Sequence, residues 1–581
     1  MRSLRSAALA ALLGLTLLLA GCVSVPTSGR VERVEGPQQS CQNCVNVQVA
    51  PPSPGDDPRS VVEGFLRANA NYQPNYSVAR QFLTAAAAQK WSPEDGVLVY
   101  RGTPTASGDK VTLSAQIVGQ LGRDRAYTVK DSRLPVDFGL VRERGEWRIS
   151  TPPRGLMVAE YVFAQFYSAY DLYFVGNGTV LVPDPIYLPK LRNPANVASA
   201  LVKALLNGPT AWLAPAVTTA IPRGTTLSVD SVTIADGVAS VPLSDTVLGL
   251  SDAQRSLLAA QILYTLKQAV AVRGVLITVN QQSFRVPEGD PSSFVVSADA
   301  VPAERQPVSP VVGDQLYVVR GGAVQRLDPA KATTTPVTGD LGDGTVRAET
   351  LAVSISDTDL AAVADGGTRV VQTGTAQPRD QGKTVLSGAT GLLRPQFTRY
   401  GELWIVGKKN GRQTVWCSTG KGARPVAAPA LTGRDIVAFR ISPDGTRVAL
   451  VERTPRGDLL AVARIDRGDT VSLDAWRVLN TTRAGTPKLA LLRDVAWLDA
   501  TDLLVLGAAS GKDAASPYSI SEDASVIMDE GEALDWDPAS LTVLLRTQSA
   551  VVLSGDRQTW RDQGSTWQPL VGNVTAVAYP G

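Results

Sequence analysis

From about residue 300 to its end the chain repeats one kind of unit: a short apolar run, a turn rich in Asp, Ser, Gly and Pro, and a second apolar run. The copies read "VSISDTDLAAVAD", "PQFTRYGELWIVG", "FRISPDGTRVALVE", "VAWLDATDLLVLG" and "LDWDPASLTVLLR", followed by a last strand, "VTAVAYPG". Aligning Ile355, Phe397, Ile441, Trp497, Trp536 and Tyr579 gives intervals of 42, 44, 56, 39 and 43 residues. A small sheet of that length cannot bury its own two faces, so neighbouring copies must stack on it, and a ring of such sheets is a β-propeller. The last copy is a lone strand, and "DQLYVVRGGAVQRLD" lacks the strand expected before it. Thr575–Tyr579 should therefore close the blade begun near Gln315, which makes six blades. A seventh would have to hide in the 56-residue interval.

The front of the chain has a different character. Arg2 and Arg5 precede an apolar run from Ala7 to Leu19, the layout of an export signal. Thirteen helical residues span roughly 20 Å, short of the roughly 30 Å hydrocarbon layer, so cleavage is expected rather than permanent insertion. Leu19-Ala20-Gly21-Cys22 looks like a bacterial lipobox, which makes Cys22 the expected mature N-terminus and lipid carrier, with palmitate among its acyl groups. Two or three acyl chains, at about 0.8 kcal/mol per buried methylene, hold a protein stably on a membrane. Cys41 and Cys44 fit a short disulfide loop in an oxidising compartment. A zinc site there would need two further ligands, and Cys417 is remote; a thioredoxin-like role would need a surrounding βαβ pattern.

At 581 residues several domains are expected. After the signal (1–21), residues 22–55 read as a Pro/Gly-rich stalk. Residues 56–153 begin with a helix capped by Asp57 and Pro58, continue through "SVARQFLTAAAAQKW", and then alternate as short strands; this α+β arrangement resembles NTF2-like domains. Residues 154–189 read as a connector. In 190–290, Asn193-Pro194 starts one helix and Ser251 with Gln254 offers a capping box for a second. The order "LLNGP…IPRGTTL…ADGVASVPLS…AAQILYTL…GVLITVN" resembles the GerMN domain. The fold class is thus multidomain: α+β N-terminal modules, NTF2-like and GerMN-like, followed by an all-β propeller over 300–581.

Together these pieces, with "GCVSVPTSG" directly after the signal, resemble the LpqB family of actinobacterial lipoproteins over essentially the whole chain. That resemblance implies an extracytoplasmic lipoprotein, held at the cell membrane by its N-terminal lipid, that engages a sensor histidine kinase of the MtrB type. Through it the protein would modulate a two-component system governing cell-wall metabolism and division. No kinase-contact residue follows from the resemblance.

Composition removes several alternatives. The chain has no histidine, which excludes Ser-His-Asp and Cys-His catalysis and imidazole-bound zinc. A net charge of +2 without basic runs argues against a nucleic-acid partner. Ser107–Lys110 and Ser418–Lys421 fit S-x-x-K but sit in apparent hairpin turns. Arg456-Gly-Asp458, Arg467-Gly-Asp469 and Asp340–Thr345 read as turns between strands, and Trp497 and Trp536 as blade-to-blade core. No catalytic, cofactor-binding or metal residue is expected, and the protein is read as a non-enzyme. The rival readings are a cell-envelope glycan binder, a propeller hydrolase relying on paired carboxylates, and a structural envelope scaffold.

Overall fold

In a computed structural model the described residues are 50–309, 313–375, 381–482, 488–511, 513–530, 536–564 and 566–581. Cys22 with Leu19, Ala20 and Gly21, and Cys41 with Cys44, lie outside them. Residues 50–581 form one compact unit.

The first helix among the described residues, Pro58–Ala70, starts where its sequence requires. The Asp57 carboxylate accepts the Ser60 N–H at 2.9 Å, Pro58 occupies the first helical position, and Val61, Val62, Phe65 and Leu66 are buried on one face. Strands Val97–Arg101, Lys110–Leu121 and Tyr127–Asp137 pair antiparallel. The sheet does not end there. Leu156–Ala159 pairs parallel with Val97–Tyr100, which carries the first module past Pro153.

The rest of the expected connector is also structured. Tyr167–Val175 and Leu181–Pro189 form a continuous hairpin, with Tyr167 opposite Pro189 and Val175 opposite Leu181. Its apolar side chains, including Phe174, Leu181, Val182 and Ile186, pack into one core with Val197, Leu201 and Leu205 of helix Pro194–Leu206 and Leu258, Ile262 and Leu263 of helix Asp252–Leu266. Residues 154–189 are therefore no linker; their apolar side chains complete the cores of two modules. The capping box at Ser251 and Gln254 and the Asn193 cap are both formed. Val238–Leu243 and Gly274–Val279 lie side by side and parallel. Thr233–Ala235 pairs antiparallel with Val238–Ser240 at the edge of this sheet.

Among the described residues the propeller has six four-stranded sheets. Their innermost strands are Val574–Ala578, Thr350–Val353, Gln396–Phe397, Ile436–Ile441, Leu491–Trp497 and Pro538–Leu544, which define the first to sixth blades in that order. Val574–Ala578 closes the first blade by pairing with Leu316–Arg320, Val318 opposite Val577. The 56-residue interval contains no extra sheet among the described residues; the fourth blade has long outer strands, Leu459–Arg467 and Val471–Val478. Separate apolar clusters fill the gaps between successive blades and return from the sixth to the first.

Many of the turns share one device. A serine two residues before an acid fixes the chain reversal: Ser442 Oγ donates to Asp444 Oδ1 at 2.9 Å while that oxygen also takes the Thr446 N–H at 2.7 Å. Ser521 and Asp523 repeat the pattern, as do Ser554 and Asp556. This is why Ser-x-Asp recurs in the sequence at blade reversals.

Ring closure should dominate propeller stability. Removing residues 574–581 leaves the Leu316–Arg320 edge unpaired and uncovers Val319 and Leu316. Each buried aliphatic side chain contributes about 1.5–3 kcal/mol, so the truncation should abolish cooperative unfolding, checked by urea denaturation and by a gain in hydrophobic-dye binding.

Candidate functional site: the seam between the second module and the propeller

Strand Arg447–Glu452 of the fourth blade is apolar except at its ends, and it begins with a side chain that has no accessible surface at all. The Arg447 guanidinium is held by two carboxylates and a carbonyl. Its Nε lies 2.5 Å from Glu522 Oε2, its Nη1 3.2 Å from Asp444 Oδ2, and its Nη2 donates to the Pro183 carbonyl of the second module's hairpin. Burial works against its charge, but Glu522 and then Asp444 more than offset this and hold it protonated. One arginine thus links the turn of the fourth blade, the turn of the fifth blade and the neighbouring module.

Trp212 enters from the second module beside it. Its ring N–H donates to the Ala475 carbonyl at 3.3 Å, its own carbonyl accepts from Arg464, and the Arg477 guanidinium sits 4.4 Å from its ring centre. Arg464 is in turn clamped by Asp466 at 2.5 and 2.8 Å. Asp184 accepts both the backbone N–H and the hydroxyl of Thr210, at 2.6 and 2.8 Å, and so fixes the loop that presents Trp212.

Tyr187 joins all three modules. It belongs to the second, its hydroxyl is hydrogen-bonded to Ser525 of the propeller, and its N–H donates to the Arg125 carbonyl of the first. Its ring packs 5.8 Å from Tyr127 and 5.5 Å from Phe163. Asp124 adds a bond from the Ala211 N–H, and Val129 packs against the fourth- and fifth-blade core. On the third blade, Arg399 donates to the carbonyls of Glu304, Gln306 and Pro307, tying down the segment that leads into the propeller.

Carboxylates crowd this seam. Burial first, then the charge of Asp499, pushes Asp171 up to about 7; burial raises Asp184 to about 6 against the pull of Thr210; burial and Asp499 raise Asp502 to about 7.

The other residues singled out in the sequence have structural settings. Ser107 and Lys110 flank a tight exposed turn, with Lys110 paired to Asp137 at 2.9 Å. Ser418 ends the strand Arg412–Ser418. Asp458 accepts the Leu492 N–H at 3.0 Å, Arg467 pairs with Glu402 at 2.6 Å, and the Asp343 carboxylate caps its own turn through Thr345. Trp497 is buried between the fourth and fifth blades and donates to the Arg440 carbonyl. Trp536 is half-buried and stacks on Trp560 at 4.6 Å on the sixth blade. Cys417 is free and half-buried, its thiol pushed up to about 12 by burial. Among the described residues no group of three or more acids or cysteines could hold a metal ion. A cavity on the propeller axis is lined by Arg394, Arg399 and Arg440 and, among the described residues, by no Asp or Glu side chain, so the acid pair a hydrolase would need there is not in its wall. Sequence reading identified neither Arg447 nor Tyr187. The only signal was an arginine opening the apolar run "RVALVE".

Three family models match the chain: one described as "Lipoprotein LpqB, N-terminal domain" over residues 51–164, one as "Sporulation and spore germination" over 171–284, and one as "Lipoprotein LpqB beta-propeller domain" over 322–580. Among curated relatives, a Lipoprotein LpqB of Cutibacterium acnes is 30% identical over 595 residues, covering 99% of each chain. Its namesake in Streptomyces avermitilis is 27% identical over 611 residues, covering 97% of this chain and 96% of that one. In Mycobacterium bovis BCG the corresponding figures are 30% over 470 residues, 76% and 77%.

Substituting Arg447→Met leaves Glu522 and Asp444 buried without their cation, which should cost about 3–5 kcal/mol in chemical denaturation. Adding Glu522→Gln should recover part of that loss. The seam carboxyls also set a pH dependence. Their folded values lie above the roughly 3.9 of an unfolded aspartate, so the folded state binds more protons between about pH 4 and 7 and their contribution to stability falls as pH rises through that window. Thermal unfolding of Asp171→Asn should therefore show a shallower decline from pH 4.5 to 7 than the parent.

Proposed function

Because the chain belongs to the LpqB family of lipoproteins, we propose that it is a membrane-anchored extracytoplasmic docking protein that binds the sensor domain of an MtrB-like histidine kinase and modulates two-component signalling in cell-wall metabolism and division. The observation that carries this reading is the three-way junction at Tyr187 and Arg447, which joins three modules through buried polar contacts. A body whose modules are already fixed loses little conformational freedom when a partner binds across more than one of them. Such a body can discriminate between two signalling states of a receptor, and only unequal affinity for those states changes kinase output.

Anchoring is assigned to Cys22, the cysteine of the lipobox-like Leu19-Ala20-Gly21-Cys22. Among the described residues no helix is long and apolar enough to cross a membrane, so attachment through the N-terminal lipid is the proposed route.

Cells fed a clickable fatty acid should label the parent and not Cys22→Ala. In liposomes bearing the kinase, saturating amounts of the lipidated protein should change autophosphorylation at least about twofold, since a shift of that size needs only about 0.4 kcal/mol of differential binding. Verified binding with unchanged autophosphorylation would overturn the regulatory reading.

A further inference from the structure

The propeller axis holds more positive than negative charge. A cavity of about 50 Å³ lies at the ends of the inner strands, with Arg394, Arg399 and Arg440 in its wall. Arg394 enters from the third blade and spans the ring: its Nη1 donates to the Leu541 carbonyl at 3.0 Å and the Val577 carbonyl at 3.4 Å, on the sixth and first blades. Among the described residues no carboxylate lies within ion-pair distance of it. Arg440, 6% exposed, donates through Nη2 to Asp494 at 2.7 Å and through Nη1 to the Phe439 carbonyl, while its Nε is buried with no partner.

Asp494 is the one acid of this set, and its oxygens are already engaged. Oδ1 takes Arg440 and the Val495 N–H at 2.9 Å; Oδ2 takes the Leu541 N–H at 3.0 Å. It offsets one guanidinium. Burial and the neighbouring Arg440 both disfavour the charge on Arg394, and Asp494 answers only in part. A buried cation is costly unless it is paired, and an arginine gives up its proton at no physiological pH. Here the chain supplies one acid for two inward-facing guanidiniums, Arg440 buried and Arg394 half-buried.

We propose that the axial cavity is an anion site, with Arg394 and Arg440 binding a carboxylate-sized oxyanion taken from outside the chain. The planar guanidinium fork matches two oxygens on one carbon. The volume admits a carboxylate head. The site is independent of the kinase reading, since neither Arg394 nor Arg440 is among the residues that join the modules.

The test is titration of the full-length protein in detergent with acetate at constant ionic strength, followed by calorimetry and saturation-transfer NMR, with chloride in parallel. Glycylglycine and its C-terminal amide distinguish a free small acid from a peptide's terminal carboxylate. Saturable acetate binding is expected, weakened about tenfold or more in Arg394→Gln, unchanged in the exposed Arg142→Gln, and strengthened severalfold in Asp494→Asn, which keeps an acceptor for Leu541 but removes the competing charge. That gain cannot arise from misfolding. Non-saturable binding, equal binding of chloride, or an unchanged affinity in both Arg394→Gln and Asp494→Asn would overturn the assignment.

Discussion

The carbonyl of Pro183 meets Arg447 inside the propeller wall, and consequences spread from that contact in both directions. Toward the propeller, Asp444 serves two ends at once: its Oδ1 shapes the fourth-blade reversal and its Oδ2 receives Arg447. Toward the second module, the hairpin must present Pro183 in one register. Because side chains alternate along a strand, a shift by one residue would turn Asp184 and Tyr187 to the wrong faces and lose both the Thr210 clamp and the Ser525 bond. Turn geometry and module docking are therefore one problem, solved by one ion cluster. Desolvating that cluster is expensive, so its value lies less in net stability than in admitting a single arrangement.

Much of the architecture was legible in residue order because the forces that set it are local. The propeller period, the closure by the final strand, the Asp57, Asn193 and Ser251 caps, and the role of Trp497 each depend on patterns within a few tens of residues. The hairpin Tyr167–Pro189 was not legible, and the reason is physical. Pro183, Pro185 and Pro189 count against a strand because proline cannot donate to a ladder. In a two-stranded ribbon, however, every residue lies on an edge, and prolines opposite Tyr173, Asp171 and Tyr167 point their missing N–H groups away from the partner strand. The seam was illegible for another reason: Arg447 and Pro183 are 264 residues apart, and nothing local to either names the other.

The axis and the seam use the same residue for related ends. Arg394 bonds carbonyls of two blades across the ring, Arg399 gathers three carbonyls of the entering segment, and Arg464 holds Trp212's carbonyl while clamped by Asp466. Each ties its own element to backbone carbonyls of another. A lysine ammonium also has three donors, but they radiate from a single point and fit a fork of separated carbonyls poorly; the guanidinium spreads five donors in one plane.

That choice also decides what the structure responds to. Arginine stays charged across any physiological pH, and the chain has no histidine to titrate near neutrality. The cationic half of the junction is therefore constant, and the groups that change near pH 6 to 7 are Asp171, Asp184 and Asp502. Burial and the neighbouring charges of Asp499 and Asp523 oppose the ionisation of Asp171 and Asp502, and Arg447 favours that of Asp171 only in part. The contribution of those carboxyls to stability is therefore greatest where they keep their protons, so that mild acidity favours the folded junction rather than opposing it.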